Sequence, residues 1–252
     1  MHPAHASSAP SGAEYGSTQV PASSVSVLAQ LPEALRPRIW TGHQGATGPG
    51  RATGHAELDA LIGGWPVGAV TELLYPDHGV GELTLLTPCM AAANTWTTWI
   101  APPQIPYPPA LVNAGVDLSR TLVVHPPDAA TAGWTVEQAC RTRLGSSAPK
   151  GGVLPPGHLV VAWLSERWLG SHSLRRLQLA AEAGGSIAVL MRPLQAARQP
   201  SPAALRLTVE ANAEVGVDGT IRVGVLKRRG GPPNGHCHVT ISSGEQRPRL
   251  SA

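Results

Sequence analysis

Val67-Gly68-Ala69-Val70-Thr71-Glu72-Leu73-Leu74 runs into Tyr75-Pro76-Asp77-His78-Gly79-Val80-Gly81 and then Glu82-Leu83. The first block is β-prone and apolar, and the second is a turn built on Pro and Gly. The third opens an apolar stretch that predicts a helix from near Glu82 through Met90 to Ala93. Strand, Gly-rich turn and helix form the opening unit of an α/β sheet. Upstream, Glu57-Leu58-Asp59-Ala60-Leu61-Ile62 predicts a short helix closed by Gly63-Gly64.

Downstream the alternation continues. Strands are expected over Thr95–Ala101, Thr121–Val124, His158–Leu164 and Ser186–Met191, with helices over Pro109–Ala114 and Thr131–Arg143. Ser171 or Ser173 is expected to cap a further helix, with Leu174, Leu177 and Ala181 on its core stripe and Gly184-Gly185 at its end. Leu205–Glu210 and Ile221–Leu226 alternate apolar and polar, as strands near a sheet edge do, around a hairpin signal at Val217–Thr220. The expected fold is a mainly parallel central sheet with helices on both faces and an antiparallel C-terminal extension.

The chain has 252 residues, enough for one domain with tails. Residues 1–32, rich in Ser, Ala, Gly, Pro and His, read as a disordered leader, 33–240 as the core domain and 241–252 as a flexible tail. Arg36-Pro37-Arg38-Ile39-Trp40, a lone Trp following two arginines, reads either as a docking peptide or as a strap packed on the domain. No residue from Leu83 to Val116 is charged, but Pro88, Asn94 and five further prolines break it short of the ~20 apolar residues of a membrane span. With no secretory signal either, a cytoplasmic location is expected. Cys89, Cys140 and Cys237 are too few and too scattered for a disulfide framework or a zinc site. His236-Cys237-His238 alternates faces if it is a strand, so no metal site is assigned. Positive charge is arginine-borne, seventeen against Lys150 and Lys227, and a net charge of +3 does not by itself imply nucleic acid.

In this architecture a nucleotide would sit at the first strand-turn-helix. A phosphate-binding loop needs Gly-x-x-x-x-Gly-Lys-[Ser/Thr], whose amides cradle phosphates, whose Lys pairs with the β/γ oxygens and whose hydroxyl holds Mg²⁺. Here the turn supplies Gly79 and Gly81, but Glu82 and Leu83 stand where Lys and the hydroxyl belong. The strand over 158–164 passes into Trp163-Leu164-Ser165 without a metal-holding Asp, and Pro102-Pro103 follows Ile100-Ala101 where a water-activating carboxylate could stand. No catalytic residue is assigned and ATP hydrolysis is not expected. No cofactor is expected either, with ATP binding uncoupled from hydrolysis as the alternative. Nor does the chain carry a Gly-x-Ser-x-Gly elbow or a His-Glu-x-x-His pair for hydrolase chemistry.

Arg51–Leu61, Gly63-Gly64-Trp65-Pro66-Val67-Gly68 and Val70-Thr71-Glu72-Leu73 resemble the start of the RecA ATPase core, and Ala114–Leu118 with Thr121–Asp128 continues the likeness in order. Ile100-Ala101-Pro102-Pro103 with Pro106-Tyr107 and Pro109-Ala110-Leu111, Leu174–Glu182, Gln199–Leu207 and Leu226–Pro233 are similar to the ImuA family. These are RecA-like accessory proteins of bacterial mutagenic translesion synthesis, also labelled SulA-like. The likeness spans roughly residues 33–240. It implies a RecA-like (P-loop NTPase-type) α/β fold and a non-catalytic adaptor role in the SOS response to DNA damage. The implied partners are ImuB, an error-prone C-family DNA polymerase, and RecA or DNA, with association with the nucleoid on damage. A SulA-type division inhibitor and an ATP-dependent DNA-binding recombinase are the competing readings.

On that frame, Arg192 and Arg198 flank the loop where RecA-like proteins contact DNA, and Arg175 and Arg176 open a helix just after a short loop. Lys227-Arg228-Arg229, at a strand end, falls where RecA filaments reach the neighbouring subunit. All seven are candidate DNA- or partner-binding residues, since guanidinium forks suit phosphate; a solvated basic surface is the alternative. Arg247, Arg249 and Leu250 in the tail are candidate docking residues by the same resemblance.

Overall fold

The computed structural model describes residues 50–76, 79–142, 158–211, 219–231 and 235–240. The expected leader, the Arg36–Trp40 segment, Asp77-His78, Val217-Asp218 of the hairpin signal and the tail with Arg247, Arg249 and Leu250 lie outside them.

Eight strands form one sheet: β1 (Ala69–Tyr75), β2 (Thr97–Ile100), β3 (Thr121–Val124), β4 (Leu159–Trp163), β5 (Ile187–Pro193), β6 (Leu205–Ala211), β7 (Thr220–Arg228) and β8 (His236–Thr240). Their order is β3-β2-β4-β5-β1-β6-β7-β8. The first six are parallel, β7 runs against β6, and β8 runs against β7. All seven residues of β1 are buried, as a parallel strand flanked on both edges and both faces requires.

Strand alternation sorts the core into two layers. Leu73, Val161, Val189, Leu207 and Val223 point to one face, against Leu58 and Ile62 of α1 (Ala56–Ile62) and Met90 of α2 (Thr87–Ala91). Val70, Val160, Ala188 and Leu190 point to the other, against Val136 and Cys140 of α4 (Ala129–Arg141) and Leu174 and Leu177 of α5 (Ser171–Gly184). The remaining helix, α3 (Pro108–Asn113), has no buried residue. Among the described residues no helix is long and apolar enough to cross a membrane.

Three local expectations are corrected. The helix expected from Glu82 to Ala93 is a series of turns followed by only Thr87–Ala91. Proline fits a helix only in its first turn, so Pro88 fixes the start, and Asn94 at φ 61° lies beyond the end. Gly170, not a serine, caps α5: its carbonyl accepts from Leu174 N–H, and Ser171 is already helical. Residues 95–101 contribute only Thr97–Ile100 to the sheet, because Ala101 turns out of it at φ 51°.

Just ahead of β4, buried His158 shares a 2.7 Å hydrogen bond between its Nε2 and Thr98 Oγ1 of β2. Burial holds its pKa below the ordinary 6.5. The unfolded chain therefore binds the proton first as pH falls below 6.5, so this group's contribution to stability is lost between 6.5 and its lower folded value. A His158→Gln variant should show a smaller loss of urea midpoint between pH 7.5 and pH 5.5 than the wild type. Parallel pH dependences would remove His158 as a cause.

Candidate functional site

Strand β1 delivers the chain to a turn at the carboxyl end of the parallel strands, where ligands of open α/β sheets bind. Gly79 and Gly81 adopt φ +86° and +95°, conformations that a side chain would strain. Gly79 N–H donates to Glu82 Oε1 at 3.3 Å, and Glu82 is buried. An amide that would face a phosphate is thus engaged by the turn's own carboxylate. A polyphosphate arriving here would meet negative charge where the motif needs a lysine.

Beside this turn lies a cavity of about 410 Å³. Trp99 of β2 and Trp163 of β4 form one wall, stacked with ring centroids 5.6 Å apart and planes at 29°. Met90, Leu111 and Tyr107 contribute to the rest, and among the described residues Glu82 is the one acidic or basic side chain in the lining. Tyr75, at the end of β1, has its phenol pushed up to about 12 by burial, with the nearby Glu82 adding to the effect, so it stays neutral. After β4, Leu164 is buried in the second core layer. The position after β4 is filled by packing, not by a carboxylate. Among the described residues no group of three or more His, Cys, Asp or Glu is placed to hold a metal ion.

Arg192 is a correction. Expected at a DNA-facing loop, it is fully buried, because β5 continues past Met191 and pairs Arg192 with Leu74. Its Nη1 donates to Glu72 Oε1 at 2.9 Å, its Nε and Nη2 grip both oxygens of Glu166 at 2.9 and 2.6 Å, and Nη2 also reaches Gln199 Oε1. Arg206 of β6 donates through Nε to Glu72 Oε2 at 2.6 Å and through Nη1 and Nη2 to the carbonyls of Gln199 and Ala196. Ser201 Oγ completes the shell of Glu72 at 2.6 Å. The network ties the segment after β5, including the 3-10 turn Leu194–Arg198, down onto the sheet.

The 227–229 cluster is likewise split. Strand alternation and a register shift between Arg206 and Leu207 place Arg206 opposite Lys227. Lys227 Nζ donates to Ser201 carbonyl at 2.6 Å, and burial with the neighbouring Arg229 and Arg206 pushes its pKa down. Arg228 donates to the Leu61 carbonyl at the end of α1. Only Arg229 of the three is exposed. Arg176 pairs with Glu137, which also holds Arg141 at 2.7 Å, so it clamps α5 to α4. Arg175 and Arg198 are exposed. The seven basic candidates therefore do not converge: Arg175, Arg198 and Arg229 present open guanidiniums, while the others support the fold. Sequence reading missed the Glu72 network; its signal was a lone charge in each of β1 and β5, Glu72 and Arg192, with Arg206 among the apolar residues that open β6.

Neither a protein-family model nor a curated protein sequence matches this chain.

Proposed function

We propose that this chain is a RecA-like, non-catalytic accessory protein of SOS-induced, error-prone translesion DNA synthesis. It acts as an adaptor for ImuB and an error-prone C-family polymerase, with RecA or DNA as a further contact. The observation that carries the non-catalytic part is Glu82, buried in the turn after β1 with its carboxylate on Gly79 N–H. The parallel sheet centred on β1, with its antiparallel strand β7, supports the RecA-like frame. The translesion role and its partners rest on the sequence resemblance alone.

Purified protein should turn over no ATP above a protein-free control. The Glu82→Ala variant should stay equally inactive, because the lysine, the hydroxyl and the aspartate are still missing. Turnover that scales with protein concentration would sink the non-catalytic reading. Co-purification from DNA-damaged cells should recover ImuB. Recovery of the tubulin-like division GTPase in its place, confirmed by co-sedimentation with its polymer, would favour the division-inhibitor reading.

A further inference from the structure

The cavity beside the phosphate turn opens onto an unusual surface. Residues 103–115 contain no charge, and nearly all of them are exposed, including every residue of α3 except the half-buried Leu111. Ile105 is 85% exposed, Tyr107 70% and Val112 55%. A short helix on a globular domain ordinarily turns an apolar stripe inward, whereas α3 has no fully buried residue and packs only Leu111 against the core. Contiguous exposed apolar surface that continues into an aromatic-walled cavity marks a site for another molecule.

We infer that this surface is a peptide-docking site: the cavity takes one large aromatic or aliphatic side chain of a partner protein, and Glu82 selects a lysine or arginine beside that anchor. Three observations set the occupant. The cavity, about 410 Å³, matches a side-chain anchor or a small ligand. A small ligand confined to the cavity would leave the exposed Pro108, Pro109 and Val112 of α3, which lie outside the lining, wet, whereas a peptide covers both pocket and rim. Among the described residues, the single ionisable group of the lining apart from a tyrosine phenol is the Glu82 carboxylate, so an acidic segment is repelled and a basic one is matched. The site does not depend on the partner being a translesion protein.

The test is selection of a random twelve-residue peptide display library on the full-length protein. Enriched peptides should carry Trp, Phe, Leu or Met next to Lys or Arg and be depleted in Asp and Glu. Their affinity should fall at least tenfold for Ile105→Asp/Tyr107→Asp protein, with the thermal midpoint unchanged because both side chains are exposed. Glu82→Gln should weaken the basic peptides several-fold and leave peptides with the basic residue replaced by Gln unaffected. No enrichment, enrichment of acidic peptides, or equal binding to the double variant overturns the proposal. So does displacement of the selected peptides by tryptamine at equal molar affinity, which assigns the cavity to a small organic cation. Self-association abolished by Tyr107→Asp, with no peptide enriched, assigns the surface to a second copy of the chain.

Discussion

Replacing Glu72 with leucine should lower the unfolding free energy by about 3–5 kcal/mol, the range expected when one partner of a buried ion pair is removed. Glu72 is fully buried and neutralises two guanidiniums at once, Arg192 at 2.9 Å and Arg206 at 2.6 Å. With leucine there, Arg192 keeps Glu166, which is 30% exposed in its side chain, but Arg206 keeps only carbonyl acceptors. An arginine cannot shed its proton to escape, so its charge is left unbalanced inside the protein. The urea midpoint should drop with the m-value unchanged. Replacing Glu72, Arg192 and Arg206 together by apolar residues should recover much of the loss, since the desolvation penalty disappears with the charges. A single Glu72→Leu loss below about 1 kcal/mol would mean the network contributes little beyond its desolvation cost.

That network also shows where the sequence stopped being informative. The strands β4 and β5 up to Met191 are legible because a strand buried on both faces reads as an unbroken apolar run, and β1 is legible by its β-prone apolar residues on either side of Thr71-Glu72. Their order is not, because it rests on pairings between distant segments. The expected end of β5 at Met191 followed from the first charge, Arg192, which looked like the start of a loop. In the sheet that charge is met by Glu72, 120 positions away, and the ladder runs on to Pro193. Contiguity misled again at Lys227-Arg228-Arg229: three adjacent charges suggest one patch, but successive residues of a strand point to opposite faces. The turn at Gly79–Leu83 was legible in its chemistry, since the missing Lys and hydroxyl are local facts. The hydrogen bond from Gly79 to Glu82 and the indole stack of Trp99 on Trp163 were not, because each needs the folded backbone. The apolar character of 103–115 was visible, but its exposure was not: apolar runs are ordinarily assigned to the core.

A second large effect is expected where the two helices of one face approach. Gly184 ends α5, and a Cβ built on it would stand 1.9 Å from the Cys140 carbonyl oxygen and 2.9 Å from the Arg141 Cα of α4. Both obstacles are backbone, so no side chain can swing aside. Cys140 is itself fully buried under the sheet and Arg141 is pinned to Glu137, which Arg176 of α5 also grips. Even Gly184→Ala must push α5 away from α4, opening the layer formed by Val136, Cys140, Leu177 and Ala181. Overpacking of this kind costs roughly 1–3 kcal/mol, and with immovable backbone on the far side the upper part of that range is expected. Gly185, one position on at φ +68°, is the internal control: its Cβ would meet nothing within 4 Å. Alanine there incurs only the left-handed backbone penalty of roughly 1–2 kcal/mol. Thermal unfolding of the two variants should rank Gly184→Ala below Gly185→Ala. The reverse ranking would show that α4 and α5 can separate freely at this contact.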